Sequence, residues 1–230
     1  NSRPVFAVDL DGTLVKTDTL IESIILLCQT KIFLLMMLPF WLLKSRQYFK
    51  SKIASSIQFN PNLLPYNEDV VDIVKKYKKQ HYEIWLVTAA DKLIANQIAD
   101  HLSLFDGVMS SDYSINLNGI EKARALEDKF GHNFIYIGNS YKDFPVWKKS
   151  SQVIAVADNK FAVKVLKTFP KAQIISLCKP KSLEVASLLR VHQWSKNLLV
   201  FSPSFFAQHL SDPTIFIKSV IAWMAMSFTA

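Results

Sequence analysis

The chain has 230 residues, of which 50% are hydrophobic and 20% charged, and its formal net charge at neutral pH is +8. This length corresponds to one ordinary domain with an additional segment, and this composition excludes a disordered or collagen-like chain. Because the mean hydropathy is slightly positive although the net charge is strongly basic, the balance favours contact with a membrane surface over nucleic-acid binding.

Strands and helices alternate along the predicted structure. Apolar, β-branched runs predict strands at residues 5–10, 83–88, 107–110, 134–137, 153–156 and 173–176. Apolar periodicity predicts helices at about residues 20–38, 40–57, 67–80, 91–102 and 121–130, and the first two are separated at Pro39. This order predicts an α/β fold, a doubly wound parallel sheet of Rossmann type. Ligands of such sheets bind at the carboxyl ends of the strands, so we expect the functional residues there.

Polar residues stand at those strand ends. The first strand leads into Asp9-Leu10-Asp11-Gly12-Thr13, and the second ends at Thr88. Lys122 lies at the start of a predicted helix, and the strand at 134–137 leads into Gly138-Asn139-Ser140-Tyr141-Lys142-Asp143. The sequence therefore predicts that two acids, a hydroxyl, an amine and a further acid meet at one edge of the sheet.

These four motifs, in this chain order, resemble the haloacid dehalogenase (HAD) superfamily over roughly residues 4–178. The resemblance implies a phosphatase, because an acid stands two residues after the nucleophile. Asp9 would attack phosphorus to form an aspartyl-phosphate, which divides a very slow hydrolysis into two easier steps. Asp11 would act as general acid and then as general base. Thr88 and Lys122 would hold the oxygens of the transferring phosphoryl group.

The same resemblance implies a Mg²⁺ cofactor, held by Asp9, by the main-chain carbonyl of Asp11 and by Asp143. Thr13 and Asn139 are the substrate contacts that we expect beside these ligands. The sequence departs from the superfamily at one position, because the pattern after the last of these strands usually begins Gly-Asp and here it is Gly138-Asn139. This change removes a negative charge, so we expect weaker Mg²⁺ binding.

Residues 15–66 occupy the place of the cap domain that selects the substrate in this superfamily. Their apolar run at 20–43 allows three arrangements. A membrane span needs about 20 apolar residues, but Lys31 and Pro39 interrupt this window. A buried helical hairpin within the cap is the second arrangement. We favour the third, in which the apolar surface of the cap dips into lipid beside four basic residues, Lys44, Arg46, Lys50 and Lys52.

The C-terminal segment carries a second resemblance. Arg190, Gln193-Trp194, Lys196-Asn197 and Pro203 resemble the opening of UbiA-type prenyltransferases, and in particular the decaprenyl-phosphate phosphoribosyltransferase-like branch. The resemblance implies that residues 179–230 form an interfacial segment and the start of a first transmembrane helix, with Arg190 and Lys196 near phosphate. A generic basic anchor ahead of a membrane helix is the alternative. The acidic clusters that this family uses for catalysis are not within the 230 residues, so we expect no prenyltransferase activity from them.

Together these patterns predict a HAD-like core at residues 1–14 and 67–178, a helical apolar cap at 15–66 and the truncated UbiA-type segment at 179–230. The expected function is Mg²⁺-dependent hydrolysis of a lipid-linked or isoprenoid-pathway phosphate by the front part of a longer protein. That protein would be held at a membrane, with the HAD domain on its cytoplasmic side, and would not bind nucleic acid. Two alternatives remain: a weak or inactive domain that regulates the prenyltransferase, and a tethered phosphatase of soluble sugar phosphates.

Overall fold

The computed structural model of the chain describes residues 3–111, 117–176, 217–219 and 221–223. The chain divides into two compact units, Asn1–Leu177 and Cys178–Ala230. The fold and the site below belong to the first unit.

Six parallel strands form one sheet in the first unit. They are β1 (Val5–Val8), β2 (Glu83–Asp91), β3 (Gly107–Ser111), β4 (Phe134–Gly138), β5 (Gln152–Ala157) and β6 (Gln173–Ser176). Their order across the sheet is β3-β2-β1-β4-β5-β6. The chain winds outward from β1 in one direction and returns to β4 to wind in the other, so β1 and β4 flank the point where the order reverses. This confirms the predicted doubly wound parallel sheet.

The helices connect these strands. The segment between β1 and β2 contains α1 (Thr19–Thr30), α2 (Leu38–Lys44), α3 (Arg46–Ser56) and α4 (Glu68–Lys79), with 3₁₀ helices at Ile32–Met37 and Pro61–Leu63. The remaining connections contain α5 (Lys92–Leu102), α6 (Ile120–Phe130), α7 (Phe144–Trp147) and α8 (Asn159–Thr168), with a 3₁₀ helix at Tyr141–Asp143.

The sheet is buried on both faces, as its apolar strands require. Phe6 and Val8 of β1 pack on the face covered by α4 and α5, whereas Val5 and Ala7 pack on the face with Trp147. Each fully buried Val, Ile, Leu or Phe side chain contributes about 1.5–3 kcal/mol relative to an exposed one. The two cores therefore fix the central strands, and with them the residues at the strand ends.

The predicted helix boundaries within the apolar run differ from the structure. The first helix ends at Thr30, and the 3₁₀ helix Ile32–Met37 leads directly into α2. Pro39 therefore does not separate two helices but lies in the first turn of α2, where a missing N–H removes no intrahelical hydrogen bond. The short helix α7 and the longer α8 were not predicted, although Asp158 accepts a hydrogen bond from the Phe161 N–H as an N-cap residue.

Within the described residues, none of the helices combines the length and the apolar character that crossing a bilayer requires. The predicted membrane-entering segment lies almost wholly outside those residues and stays a prediction.

Candidate active site

The candidate site lies where β1 and β4 end side by side. The two strands pair in parallel with Val8 opposite Ile137, and the Asp9 N–H donates to the Ile137 carbonyl over 3.0 Å. Asp9 therefore stands at the carboxyl end of the sheet at its topological switch point, which is where open α/β sheets bind ligands.

Asp9 and Lys122 form a buried ion pair. The Lys122 Nζ donates to Asp9 Oδ1 over 2.7 Å, and the Thr13 hydroxyl makes a longer bond of 3.4 Å to Asp9 Oδ2. Lys122 reaches this position from the first turn of α6, and its side chain is almost completely buried. Since an unpaired buried charge is strongly destabilising, each partner requires the other. Asp9 Oδ2 is the less tightly held of the two carboxylate oxygens.

Tyr136 extends this ion pair to a second carboxylate. Its hydroxyl accepts from the Lys122 Nζ over 2.9 Å and donates to Asp143 Oδ1 over 2.9 Å. Tyr136 is not among the site residues predicted from the sequence. The available signal was a phenol within an otherwise apolar buried strand, because a buried tyrosine hydroxyl usually has a hydrogen-bond partner.

The loop after β4 fixes the orientation of Asp143. Its Oδ2 accepts from the Asn139 N–H over 3.1 Å, from the Ser140 N–H over 2.9 Å and from the Ser140 hydroxyl over 3.0 Å. A Cβ on Gly138 would lie 2.7 Å from Asp143 Cγ, so only glycine lets the carboxylate approach the strand so closely. Asp143 Oδ1 accepts one hydrogen bond, from the Tyr136 hydroxyl. A carboxylate oxygen can accept two, so Oδ1 has capacity for a further partner.

Asp11 of the core contacts the first helix of the cap. Its Oδ1 accepts from the Thr19 N–H, the first residue of α1, over 2.7 Å. Between Asp9 and this helix the chain turns at Gly12, whose φ of +73° lies in the left-handed region. A Cβ at Gly12 would meet the Asn139 side chain, so the turn after β1 and the loop after β4 are packed against each other.

The charged groups of the site shift one another's pKa values. Burial raises the pKa of Asp9 to about 7, against the opposing effect of Lys122. Burial alone would lower the pKa of Lys122, but the Asp9 and Asp143 carboxylates more than compensate, so its pKa is raised and the amine is cationic. Burial also raises the pKa of Asp11 and, together with Asp143, that of Tyr136. Asp11 thus retains a proton to higher pH than an exposed aspartate.

An open cavity of about 290 Å³ lies over these residues. Four aspartates and three lysines are among the residues that line it: Asp9, Asp11, Asp18, Asp143, Lys50, Lys122 and Lys142. Such a lining suits a small, highly charged ligand.

Lys50 is contributed by α3, within the segment predicted as the cap. Its Nζ donates to the Ala89 carbonyl over 2.8 Å, and burial lowers its pKa. The prediction that Lys50 belongs with Lys44 and Arg46 beside lipid is therefore wrong for this residue, because α3 directs it towards the end of β2.

Two of the residues predicted for the site, both within the described part of the chain, do not line the cavity. Thr88 is fully buried, and its Oγ1 accepts from the Ala90 N–H over 2.9 Å. Thr13 is also fully buried, beneath Asp9. Asn139 does line the cavity. The predicted phosphate contacts Arg190 and Lys196 lie outside the described residues.

The predicted Mg²⁺ ligands fit a hard cation in their chemistry. Asp9 and Asp143 present two carboxylates to one polar cavity, and each has an oxygen with spare acceptor capacity. No group of three His, Cys, Asp or Glu side chains within ligating reach of one ion occurs in the part of the chain that the structure describes. The third predicted ligand is the main-chain carbonyl of Asp11, and a group defined by side chains does not include it.

No family model matches the chain. A curated relative, the uncharacterised protein y4nM of Sinorhizobium fredii, is 36% identical over 220 residues. The match covers 94% of this chain and 42% of that protein, so the chain spans about two fifths of the length of this relative.

Solved structures resemble the fold of the chain. A protein of unknown function from Bordetella pertussis has a TM-score of 0.60 at 14% identity, covering 77% of this chain and all of that one. A HAD family hydrolase from Salmonella enterica serovar Typhi has a TM-score of 0.53 at 13% identity, covering 74% and 66%. A substrate-bound phosphoserine phosphatase has a TM-score of 0.52 at 16% identity, covering 81% and 99%. The chain therefore shares its fold with these structures.

Proposed function

We propose that this HAD-like domain hydrolyses phosphomonoesters through an aspartyl-phosphate on Asp9. One observation carries the proposal: Asp9 is paired with Lys122 at 2.7 Å on the floor of a polar cavity that Asp11 and Asp143 also line. A buried, oriented carboxylate beside a fixed amine and a second carboxylic acid is the set of groups that covalent phosphoryl transfer requires.

In the first step Asp9 Oδ2 attacks phosphorus, because Oδ1 is held by Lys122 and Oδ2 has only the 3.4 Å bond to Thr13. The bond from Oδ2 to phosphorus forms as the bond from phosphorus to the ester oxygen breaks. Asp11, whose raised pKa favours the protonated carboxyl, donates its proton to the leaving oxygen. Lys122 balances the charge of the phosphoryl oxygens next to Asp9.

In the second step Asp11 takes a proton from a water molecule, whose oxygen attacks phosphorus. The bond between Asp9 and phosphorus breaks, inorganic phosphate leaves and Asp9 is regenerated as a carboxylate. Tyr136 touches no reacting atom in this scheme, but it joins Lys122 to Asp143 and so positions both.

Asp9, Asp143 and the main-chain oxygen of Asp11 would hold Mg²⁺. When bound, the ion neutralises negative charge on the phosphoryl oxygens. Asn139 replaces the acid that is usual in the superfamily. It can therefore offer Mg²⁺ only neutral polar groups and no negative charge. For this reason, the proposal includes weak binding of Mg²⁺.

The proposed substrate class is a lipid-linked or isoprenoid-pathway phosphate, such as the 5-phosphate of a phosphoribosyl polyprenyl phosphate. Two sequence features support it: the apolar cap at 15–66, and the resemblance of residues 179–230 to the start of a UbiA-type prenyltransferase. The full protein would then carry both activities at a membrane, with the HAD domain on the cytoplasmic side. Arg190 and Lys196 would contact phosphate in the second domain.

The presence of Asn139 favours an alternative function, that of a non-catalytic regulatory or scaffold domain. With Asn139 in place of an acid, the domain would regulate or scaffold the second domain without catalysing hydrolysis. A further alternative, a tethered phosphatase of soluble sugar phosphates, uses the same site.

The test is Mg²⁺-dependent release of phosphate from p-nitrophenyl phosphate. We expect Asp9→Asn to abolish it and Asp72→Asn, an exposed aspartate on α4, to leave it unchanged. Absence of a Mg²⁺-dependent signal that Asp9→Asn removes would contradict the enzymatic proposal and support the scaffold. Comparison of polyprenyl phosphates in detergent with soluble sugar phosphates tests the substrate class. Preference for the soluble esters would contradict the lipid-linked substrate.

A further inference from the structure

The cap exposes an unusual group of apolar side chains. Five large residues on one short stretch, between 53% and 85% exposed, form what we call the cap surface: Phe33, Met36, Phe40, Leu42 and Leu43. Single exposed apolar residues are ordinary, but a contiguous exposed group marks a binding surface.

The local structure explains why these side chains lie together. The 3₁₀ helix Ile32–Met37 runs directly into α2, so the stretch is helical throughout apart from the change of pitch. Residues three apart in a 3₁₀ helix, and three or four apart in an α-helix, share a side. Phe33, Met36, Phe40 and Leu43 follow this spacing.

Helix α2 has no buried residue, although six of its seven residues, Leu-Pro-Phe-Trp-Leu-Leu, are apolar. A helix of a soluble domain normally buries its apolar side against a core. The apolar character of α2 therefore is not explained by packing within the described part of the chain.

The charges around the cap surface have one sign. The sequence contains no aspartate or glutamate between Glu22 and Glu68, whereas the same interval contains five basic residues: Lys31, Lys44, Arg46, Lys50 and Lys52. Lys50 lines the active-site cavity. Lys31 precedes the cap surface and Lys44 and Arg46 follow it, and all three are exposed.

This charge pattern selects among the possible occupants. A second copy of the chain, docked through the same surface, would bring like charges together across a two-fold axis. Residues 178–230 contain five basic and two acidic residues, so they also lack the complementary charge. An anionic lipid bilayer supplies both an apolar interior and a negative surface.

We propose that the cap surface inserts into the interfacial region of an anionic lipid bilayer, with Lys31, Lys44 and Arg46 at the headgroups. This docking goes beyond the proposed hydrolysis and does not depend on it. Because α3 follows α2 and carries Lys50 to the cavity, docking would hold the substrate-facing part of the cap at the membrane.

The experiment is co-sedimentation of the chain with phosphatidylcholine vesicles, with and without phosphatidylglycerol. The cap variant is Phe33→Ser/Phe40→Ser/Leu43→Ser. The matched control is Leu63→Ser/Ile120→Ser/Val163→Ser, which changes three comparably exposed apolar residues elsewhere. We expect binding that requires phosphatidylglycerol, that weakens with salt, and that the cap variant loses by tenfold or more while the control retains it.

A second readout reports on the cap alone. Trp41 lies within α2, so brominated lipids should quench its fluorescence, and Trp41→Phe should remove most of the quenching. Equal binding of the cap variant and the control would overturn the proposal, since residues 178–230 or another surface would then bind the vesicles. Self-association without vesicles that the cap variant abolishes would overturn it in favour of a second copy.

Hydrolysis of p-nitrophenyl phosphate serves as a separate control. The cap variant should retain it, because none of its three residues lines the active-site cavity. Loss of vesicle binding with retained hydrolysis supports the docking surface. The chain could also bind vesicles without hydrolysing the ester. If the cap variant then lost that binding, the result would support docking and contradict only the proposed function.

Discussion

Asp9, Lys122, Tyr136 and Asp143 form one connected hydrogen-bonded group, and all four residues are buried. Lys122 is 2.7 Å from Asp9 and 3.8 Å from Asp143, so one amine serves two carboxylates. The Tyr136 hydroxyl lies between the amine and Asp143 and uses both its donor and its acceptor. Each residue thus satisfies a buried polar group of another, and the group orients the proposed nucleophile.

The change Tyr136→Phe tests this arrangement. It removes one hydrogen bond to a carboxylate and one to an amine, so the free energy of unfolding should fall by about 2 kcal/mol in urea denaturation. Because partners that orient metal ligands typically change affinity by about 10–100-fold, the Mg²⁺ concentration for half-maximal hydrolysis should rise by at least about tenfold.

Tyr66→Phe is the matched control for that change. The Tyr66 hydroxyl donates to the Pro61 carbonyl over 3.0 Å, away from the cavity. This variant should lose about 1 kcal/mol of stability with an unchanged Mg²⁺ dependence. An equal shift in Mg²⁺ dependence for both variants would show that Tyr136 does not position Asp143.

Among the elements, the turn after β1 and the loop after β4 act as one unit. Gly12 has a φ of +73° and lies directly against the Asn139 side chain. Asn139 and Ser140 in turn donate their N–H groups to Asp143. A change in the turn should therefore be transmitted to the second carboxylate of the site.

Gly12→Ala should destabilise the protein more than Gly131→Ala. Both glycines have positive φ, and left-handed backbone costs a non-glycine residue about 1–2 kcal/mol. A Cβ at Gly131 has no neighbour within 4 Å, whereas one at Gly12 collides with Asn139. Thermal unfolding should show a larger loss for Gly12→Ala, and hydrolysis should fall by up to about 100-fold only in that variant. Equal effects of the two changes would mean that backbone strain alone accounts for the requirement at Gly12.

Helix α3 gives the cap a polar contact with the site. Lys50→Gln removes a cation from the cavity while Lys52→Gln, on the same helix, leaves the cavity unchanged. We expect KM for a phosphomonoester to rise by about tenfold in the first variant, as the loss of one hydrogen bond to a charged group predicts. Steady-state kinetics measure this. An unchanged KM in Lys50→Gln would remove Lys50 from the substrate site.

At the scale of the whole molecule, the sequence predicts the sheet and the residues at its edge because both follow from chain order. Parallel strands present their carboxyl ends at one edge, so Asp9, Lys122 and Asp143 meet although 134 positions separate the first from the last. Tyr136 escaped prediction because its partners become neighbours only in the folded chain. Thr88 was predicted to face the ligand, but whether a hydroxyl at a strand end faces the cavity depends on the exact backbone path.

In the cap, too, the local sequence does not determine where an individual side chain lies. Lys50 stands in a basic run with Lys44, Arg46 and Lys52, and nothing in the local sequence distinguishes it from them. Only the packing of α3 next to β2 directs it to the Ala89 carbonyl. Composition predicts the apolar character of the cap, but the exposure of Phe33 and Leu43 is a property of the folded structure.

The most direct test of the central claim is detection of a phosphoryl group on Asp9. The chain is mixed with a phosphomonoester and Mg²⁺, stopped with acid within milliseconds to seconds, digested and analysed by mass spectrometry. We expect a transient acid-stable phosphoryl adduct on the peptide that contains Asp9, absent without Mg²⁺ and absent from Asp9→Asn. Phosphate release without any adduct on that peptide, or an adduct on a different residue, would contradict it.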